Sequence, residues 1–346
     1  SKIGDKEVKP LLSNPKASKE ASVLYDLICL AKDTGYTLSG QQESTWMGSD
    51  DYEFLYINER TGKAPAIRGF DYMNDDFDGV NERAIKWHKA GGIVTICWHC
   101  GSDFSGEWKD CMNDEVPDWD KMLTDGTIEY ERMLSGMDKA AAALKELCDK
   151  GIPVLWRPFH ECDGDWFWWS KGGSENFKKL WQIMYDRYTN HWGLNNLIWV
   201  LGYSHKMENV KDWYPGDEYC DIVGVDWYPG KAALENPINM VYAYEDMTVP
   251  TGKIFVYGEL SAGHDNRTVG DNYTFTAEDY GNMLKDFAAK CDKVYVLEEL
   301  DPFIEEHCKA NGIEYIELRN VNGKNVKDLT VEEAIVIKQI LDDNNI

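Results

Sequence analysis

Eight short apolar runs recur along the chain, with helical spacing in the segments between them. They lie at Tyr36–Gln41, Pro65–Asp71, Ile93–His99, Val154–Glu161, Leu197–Gly202, Ile222–Tyr228, Ile254–Leu260 and Lys293–Leu297. Most of the runs are continuously apolar, as is typical of parallel strands covered on both faces. Right-handed helical crossovers join such strands into one sheet, and eight units close it into a barrel. The sequence therefore predicts an α/β fold, a (β/α)8 TIM barrel.

Apolar residues at helical spacing precede several of these runs. They repeat over Met133–Cys148 before the fourth run and over Phe177–Tyr188 before the fifth. A leading helix is predicted over Ala17–Ala31, before the first run. Thr276, followed by acidic residues, has the pattern of an N-cap that begins a further helix.

No linker rich in proline, glycine and serine divides the 346 residues. We therefore predict a single catalytic domain over residues 1–346, with the barrel at about residues 20–300. The segment 301–346 contains a helix-like Pro302–Asn311, a strand-like Glu314–Leu318 and a final helix at about Thr330–Asp342. This C-terminal helical extension either completes the barrel or forms an appendage.

The net charge of −25 argues against nucleic acid and membrane as partners, because both would repel such a surface. The charge suits a protein that acts on a neutral polymer, and we expect a monomer. No apolar run reaches the length of a membrane span, and Ser1–Leu12 does not resemble a signal peptide. The chain is then either cytosolic or a mature form whose leader has been removed, and we expect a secreted protein. The nine cysteines and seven histidines show no zinc spacing, so neither a metal nor a cofactor is expected.

Two glutamates follow apolar runs at positions that parallel strands bring to one mouth. Glu161 ends the fourth run, and Glu259 is the last residue but one of the seventh. Active sites of β/α barrels lie at the carboxyl ends of the strands, and glycoside hydrolysis needs two carboxyl groups there. A strand-end carboxylate can also cap a helix or pair with arginine, but two of them flanked by aromatic residues favour catalysis. Asp71 and Asp226 also end runs, and we expect them to support the site by hydrogen bonding.

The segment Trp156–Trp169, with the sequence WRPFHECDGDWFWW, resembles the acid/base signature of glycoside hydrolase family 26. Other stretches match the same family in order: Leu38–Gln42, Ile67–Tyr72, Trp98–His99, Tyr214–Glu218 and Val223–Tyr228. The resemblance covers roughly residues 20–290. The family consists mostly of endo-β-1,4-mannanases, with lichenases, β-1,3-xylanases and mannobiohydrolases as minorities.

The resemblance implies a role for each matching residue. It makes Glu161 the general acid/base and Glu259 the nucleophile of a retaining reaction. His99 and His160 are expected to hydrogen-bond the sugar in the cleavage subsite, which Trp166 would line. His160 is the expected partner of the axial 2-hydroxyl of a mannose unit.

Further residues are expected around this centre. Tyr228 would orient the nucleophile, and Trp227 beside it would contact the substrate. Trp108 is a candidate sugar platform, and Trp169 is either a core residue or a second sugar contact. Arg157 and Asp71 are expected to support the carboxyl groups rather than to touch the substrate.

One departure bears on the substrate. The family usually ends its eighth strand with a tryptophan that helps to floor the cleavage site, whereas Val294–Leu300 contains none. We expect a retaining endo-β-1,4-mannanase. Because this tryptophan is missing, a β-glucanase (lichenase) and a β-1,3-xylanase stay open as alternatives on the same scaffold. A non-catalytic carbohydrate-binding barrel is disfavoured by the two glutamates, and a metal-dependent hydrolase by the lack of a His-x-His pair on strand one.

Overall fold

A computed structural model describes residues 12–34, 37–45, 48–113, 115–206, 209–227, 246–248 and 250–260, together with two short strands at 295–296 and 316–317. The strands are β1 Gly40–Gln42, β2 Ile67–Asp71, β3 Ile93–Cys97, β4 Val154–Arg157, β5 Leu197–Ser204, β6 Ile222–Trp227, β7 Ile254–Leu260, β8 Tyr295–Val296 and β9 Ile316–Glu317. The helices are α1 Lys19–Asp33, α2 Tyr52–Thr61, α3 Phe77–Lys89, α4 Asp110–Asn113, α5 Trp119–Met122, α6 Ile128–Asp149, α7 Ser174–Asp186 and α8 Val210–Trp213.

The first seven strands form one sheet in sequence order, β1 to β7, which curls into a half-barrel. Neighbouring strands pair in parallel: Ile67 of β2 is aligned with Ile93 of β3, and Val154 of β4 with Leu197 of β5. Each of the first seven predicted runs contributes to this sheet. The run Ile254–Leu260 has the predicted bounds, whereas β4 ends at Arg157, so that Glu161 lies in the following loop.

The helix α1 closes the amino-terminal end of this sheet. It begins at Ser18, whose side chain accepts a hydrogen bond from the Ala21 amide and satisfies an otherwise unpaired donor. The backbone amide of Ser18 donates to the carbonyl of Asn195, just before β5 begins. Buried residues of α1 pack in one cluster with inward-facing strand residues, including Leu155 and Ile222. Full burial of each large aliphatic side chain contributes roughly 1.5–3 kcal/mol. Because α1 covers this end of the sheet, the reactive residues lie at the opposite, open end.

The outer face of the sheet packs against helices α3, α6 and α7. Trp156 and Trp199 are fully buried there, and the ring of Tyr188 lies about 6.1 Å from each of theirs. The long helix α6 begins at Thr127, whose side chain accepts from the Tyr130 amide. Part of the aromatic content of this chain therefore belongs to the core.

The chain divides into two compact units, one of residues 1–227 with 243–259 and the other of residues 228–242 with 260–346. In the second, β8 pairs in parallel with β9 in a separate two-stranded sheet. The strand-like Glu314–Leu318 is thus confirmed by β9. The prediction that Lys293–Leu297 joins the barrel sheet as its eighth strand is wrong for the residues described, because an apolar run does not specify which strand it pairs with.

The leading helix predicted at Ala17–Ala31 is confirmed by α1, and the helical patterns before the fourth and fifth runs by α6 and α7. The helices predicted from Thr276, over Pro302–Asn311 and over Thr330–Asp342 lie outside the described residues. The prediction of one catalytic domain over residues 1–346 stays a prediction. Among the helices described, none has the length and apolar composition that crossing a membrane requires.

Candidate active site

The carboxyl ends of β2, β3, β4, β6 and β7 bring polar side chains together at one mouth of the half-barrel. The residues that meet there are Asp71, His99, Arg157, His160, Glu161, Asp226 and Glu259. Every one of them was named from the sequence. The structure adds which atoms of these side chains are hydrogen-bonded to one another, and the sequence did not reveal this.

The loop that follows β4 places Glu161 by an unusual backbone conformation. Phe159 and Glu161 have left-handed backbones with φ of 50° and 51°. A non-glycine residue in this region costs on the order of 1–2 kcal/mol, so the surroundings must hold it in place. The Cys162 amide donates to the Gly202 carbonyl at 3.1 Å. A Cβ atom on Gly202 would lie 3.0 Å from the His160 Cβ atom, so the glycine allows this loop to pack directly on β5.

Glu161 is 8% exposed, and its Oε2 atom accepts a hydrogen bond from the Trp166 indole at 2.5 Å. Burial disfavours the charged carboxylate, and repulsion by Glu259 disfavours it further. Together they raise the pKa of Glu161 to about 7, although the indole bond acts in the opposite direction. Burial is the larger of the two causes. Glu161 is therefore a carboxyl group that holds a proton near neutral pH.

Arg157 bridges two carboxyl groups. Its Nη2 atom donates to Glu259 Oε1 at 2.7 Å and its Nη1 atom donates to Asp226 Oδ2 at 2.8 Å. Burial and the neighbouring carboxylates raise the pKa of Asp226 well above its usual range despite this contact. The side chain of Glu259 remains 25% exposed, and the guanidinium favours its ionised form. Gly258 permits the arrangement, because a Cβ atom there would lie 2.4 Å from Asp226 Oδ1.

A chain of hydrogen bonds connects Asp71, His99 and His160. Asp71 Oδ2 lies 2.5 Å from His99 Nδ1, and His99 Nε2 lies 3.0 Å from His160 Nε2. Burial opposes a charge on His99, but the Asp71 carboxylate outweighs it and raises the pKa of His99. Burial, with Arg157 and His99 nearby, lowers the pKa of His160 well below its usual range. His160 is therefore neutral, and its Nε2 atom lies 3.9 Å from Glu259 Oε1.

The predicted aromatic contacts differ in how much of each ring is accessible. Trp108 is 36% exposed and its ring lies 6.2 Å from that of His99, whereas Trp166 and Trp227 are half-buried. Trp169 is fully buried and its indole donates to the His160 carbonyl at 2.9 Å, so it lies beneath the site rather than on its surface. Tyr228 lies outside the described residues.

Among the residues that the structure describes, two groups of side chains lie close enough to suggest a metal site. One is Asp71, Cys97 and His99, and the other is His160, Asp226 and Glu259. In both, hydrogen bonds already account for the proximity: Asp71 accepts from His99, and the Arg157 guanidinium lies against both Asp226 and Glu259. The charges of these groups are thus balanced by one another and by a fixed arginine.

Two residues next to this centre were not indicated by any motif of the sequence. His205 and Lys206 follow β5, and both contact the Trp166 ring, at 6.0 Å between ring centroids and 5.2 Å from the Lys206 Nζ atom. Neither His205 nor Lys206 lies in a motif that matches the family, so little in the sequence distinguishes them from other polar residues.

The geometry combines a buried carboxyl that is protonated near neutral pH with a second carboxylate fixed by arginine. The family model described as glycosyl hydrolase family 26 matches residues 13–257, which include most of this site. The chain belongs to glycosyl hydrolase family 26. The resemblance identified from the motifs is therefore confirmed.

Proteins of known activity are similar over much of this family 26 chain. A mannan endo-1,4-β-mannosidase from Thermothelomyces thermophilus is 35% identical over 241 residues, 64% of this chain and 47% of that protein. One from Bacillus subtilis is 35% identical over 193 residues, 50% of this chain and 52% of that protein. The chain thus spans about half the length of the curated relatives it matches.

Solved structures of the family share the fold. A β-mannanase from a symbiotic protist of the termite Reticulitermes speratus, complexed with gluco-manno-oligosaccharide, matches with a TM-score of 0.63 at 26% identity, over 74% of this chain and 83% of that one. A ruminal family 26 endo-β-1,4-mannanase matches with a TM-score of 0.61 at 31% identity, over 77% and 63%. The predicted (β/α)8 barrel class is confirmed by these neighbours and by the seven parallel strands.

Proposed function

We propose that this chain is a retaining endo-β-1,4-mannanase that uses Glu161 as general acid/base and Glu259 as nucleophile. The observation that carries the proposal is the contrast between the two carboxyl groups. Burial and Glu259 raise the pKa of Glu161 to about 7, while Glu259 lies against the Arg157 guanidinium. Two titratable groups whose environments favour opposite protonation states indicate an acid and a nucleophile.

In the first step, a Glu259 oxygen attacks the anomeric carbon from the side opposite the leaving sugar. The bond to the leaving oxygen breaks, and Glu161 gives that oxygen its proton. A glycosyl ester on Glu259 results, and Glu161 becomes a carboxylate. The Trp166 indole, 2.5 Å from Glu161 Oε2, stabilises the charge that develops there.

In the second step, water attacks the same carbon while Glu161 takes the proton from the water. The ester bond breaks, and Glu259 returns as a carboxylate held by Arg157. Because Glu259 is neutral while esterified, its repulsion of Glu161 is absent and the pKa of Glu161 falls. Glu161 can therefore act as an acid in one step and as a base in the next.

The names of the relatives support mannan as the substrate, since the proteins from Thermothelomyces thermophilus and Bacillus subtilis are both mannan endo-1,4-β-mannosidases. A manno-configured sugar presents an axial 2-hydroxyl, and His99 and His160 lie beside the two carboxyl groups. A site built to hydrogen-bond one hydroxyl discriminates against a sugar that misplaces it, because its own polar groups are then left unpaired.

We expect β-1,4-mannan to be hydrolysed on the order of 10²-fold faster than lichenan or β-1,3-xylan. Reducing sugar released from the three polymers, measured side by side with Glu259→Gln as the blank, tests this. A rapid fall in mannan viscosity would accompany internal cleavage. Comparable rates on mannan and lichenan would contradict the mannanase assignment and leave the roles of the two glutamates standing.

The activity should fall as pH rises through about 7, because Glu161 must be protonated in the first step and its pKa is about 7. On the acid side, activity should fall where Glu259 becomes protonated. The profile of kcat/KM against pH on a soluble mannan measures both limbs. A basic limb that stays in place in Glu161→Gln would show that another group controls it.

We also propose where the enzyme acts and in what state of association. The enzyme would be secreted, because an intact polysaccharide must be cut before its products enter a cell. A net charge of −25 suits a neutral glycan and disfavours nucleic acid or an anionic membrane as a partner. We propose that it acts as a monomer.

A further inference from the structure

The segment after β5 is attached to the loop that carries Glu161. The Ser204 amide donates to Asp163 Oδ1 at 2.6 Å, and the Gly202 carbonyl accepts from Cys162. Cys162 and Asp163, the two residues after Glu161, are therefore both anchored on β5. The two residues that follow, His205 and Lys206, extend this attachment to Trp166.

Lys206 contacts three consecutive residues of the Glu161 loop. Its Nζ atom donates to the Gly164 carbonyl at 3.0 Å, pairs with Asp165 Oδ2 at 2.9 Å and lies 5.2 Å from the centre of the Trp166 ring. The ion pair contributes little by itself, because the side chains of Lys206 and Asp165 are 38% and 76% exposed. The carbonyl bond and the cation–π contact fix geometry instead.

His205 completes the contact from one face of the indole. Its ring is stacked on Trp166 with an interplanar angle of 16°. On the side of the loop, Gly164 lies so close that a Cβ atom there would be 2.5 Å from indole carbons. The Trp166 ring is thus held between the β5 segment and its own loop, with its N–H group directed at Glu161.

We propose that Lys206, assisted by His205, is a positioning residue for Glu161: it keeps the Trp166 indole in hydrogen-bonding contact with the Glu161 carboxyl group. The inference rests on the proposed function for its kinetic consequence. The indole stabilises the carboxylate that forms as Glu161 gives up its proton. Without Lys206 the ring is free to rotate away, and proton transfer to a poor leaving group becomes slower.

The pH dependence gives this role a readout that a purely structural role would not change. Loss of the indole bond removes a stabiliser of the ionised form, so the pKa of Glu161 rises further above its usual value. The other titratable or charged groups that interact with Glu161 are Glu259, Asp226, Arg157, His99 and Cys111. The contacts of Lys206 are with Gly164, Asp165 and Trp166, so the effect of these other groups on Glu161 should persist when Lys206 is replaced.

The test compares Lys206→Met, Lys206→Arg and the control Lys171→Met in the full chain. Lys171 also donates to a backbone carbonyl, that of Met112 at 2.8 Å. For Lys206→Met we expect kcat on mannan to fall about 10-fold with KM nearly unchanged, and the basic limb to move up by about half a pH unit or more. Lys206→Arg should restore most of both, and Lys171→Met should match the wild type.

Titration of the Glu161 carboxyl by ¹³C NMR, assigned with Glu161→Gln, separates this inference from the proposed function. It needs no substrate, and it should show the same upward shift in Lys206→Met and a smaller one in His205→Ala. A Glu161 titration in Lys206→Met that coincides with that of the wild type would overturn the proposal, whatever the substrate is. If Lys206→Met does not fold, an unchanged titration in His205→Ala overturns it.

Discussion

Replacement of Glu259 by alanine or glutamine should reduce hydrolysis of every substrate by at least about 10⁴-fold, because no glycosyl ester can form. Glutamine keeps an oxygen that can accept from Arg157, 2.7 Å away in the native pair, so the fold should persist. Rates on mannan and on aryl β-mannosides, with circular dichroism of each variant, measure the loss. Glu146→Gln is a suitable control, since this glutamate accepts from Asn81 at a distance from the site.

Azide gives the Glu259 prediction a chemical signature. In Glu259→Ala an azide ion can enter the space left by the side chain and attack the anomeric carbon of an activated aryl β-mannoside. The product should be the α-glycosyl azide, because the displacement inverts the carbon once. A β-glycosyl azide from this variant would show that a different residue forms the covalent intermediate.

Replacement of Glu161 by alanine should lower the rate on mannan by about 10²- to 10⁴-fold, the range that positioned general acids contribute. Aryl mannosides with good leaving groups need little proton donation, so their first step should be nearly as fast as in the wild type. A burst of phenol followed by slow turnover measures the difference, because the second step lacks its base.

Azide also tests the role of Glu161 as general base in the second step. It needs no base, so it should speed turnover of the Glu161→Ala intermediate and give the β-glycosyl azide after two inversions. Glu146→Gln again serves as the control, since its side chain accepts from Asn81 at a distance from the carboxyl pair. Equal losses on activated and natural substrates would show that Glu161 is not the proton donor.

Much of this site could be predicted from the sequence, because a polar residue at the end of an apolar run marks the end of a strand. A continuously apolar run followed by Glu161, or by Glu259, places the carboxyl group at the mouth of a parallel sheet. His99, Arg157 and Asp226 follow from the same rule. The family motifs then added roles to positions that the pattern had already selected.

The rest depended on geometry that no local pattern contains. The left-handed backbone of Glu161, with φ of 51°, is imposed by contacts with β5 rather than by residue preference. Trp169 and Trp166 are three residues apart and equally aromatic, yet one is buried under His160 and the other reaches Glu161. The partner of the run near residue 295 was also missed, because composition predicts a strand but not its neighbour.

The stereochemistry of the first product tests the two-glutamate account most directly. Proton NMR of the anomeric region, recorded within the first minutes of hydrolysis of a manno-oligosaccharide, distinguishes the two products before they equilibrate. Double displacement through Glu259 predicts that the β anomer appears first and the α anomer only later, by mutarotation. If the α anomer appeared first, water would be attacking the sugar directly, and Glu259 would not be the nucleophile.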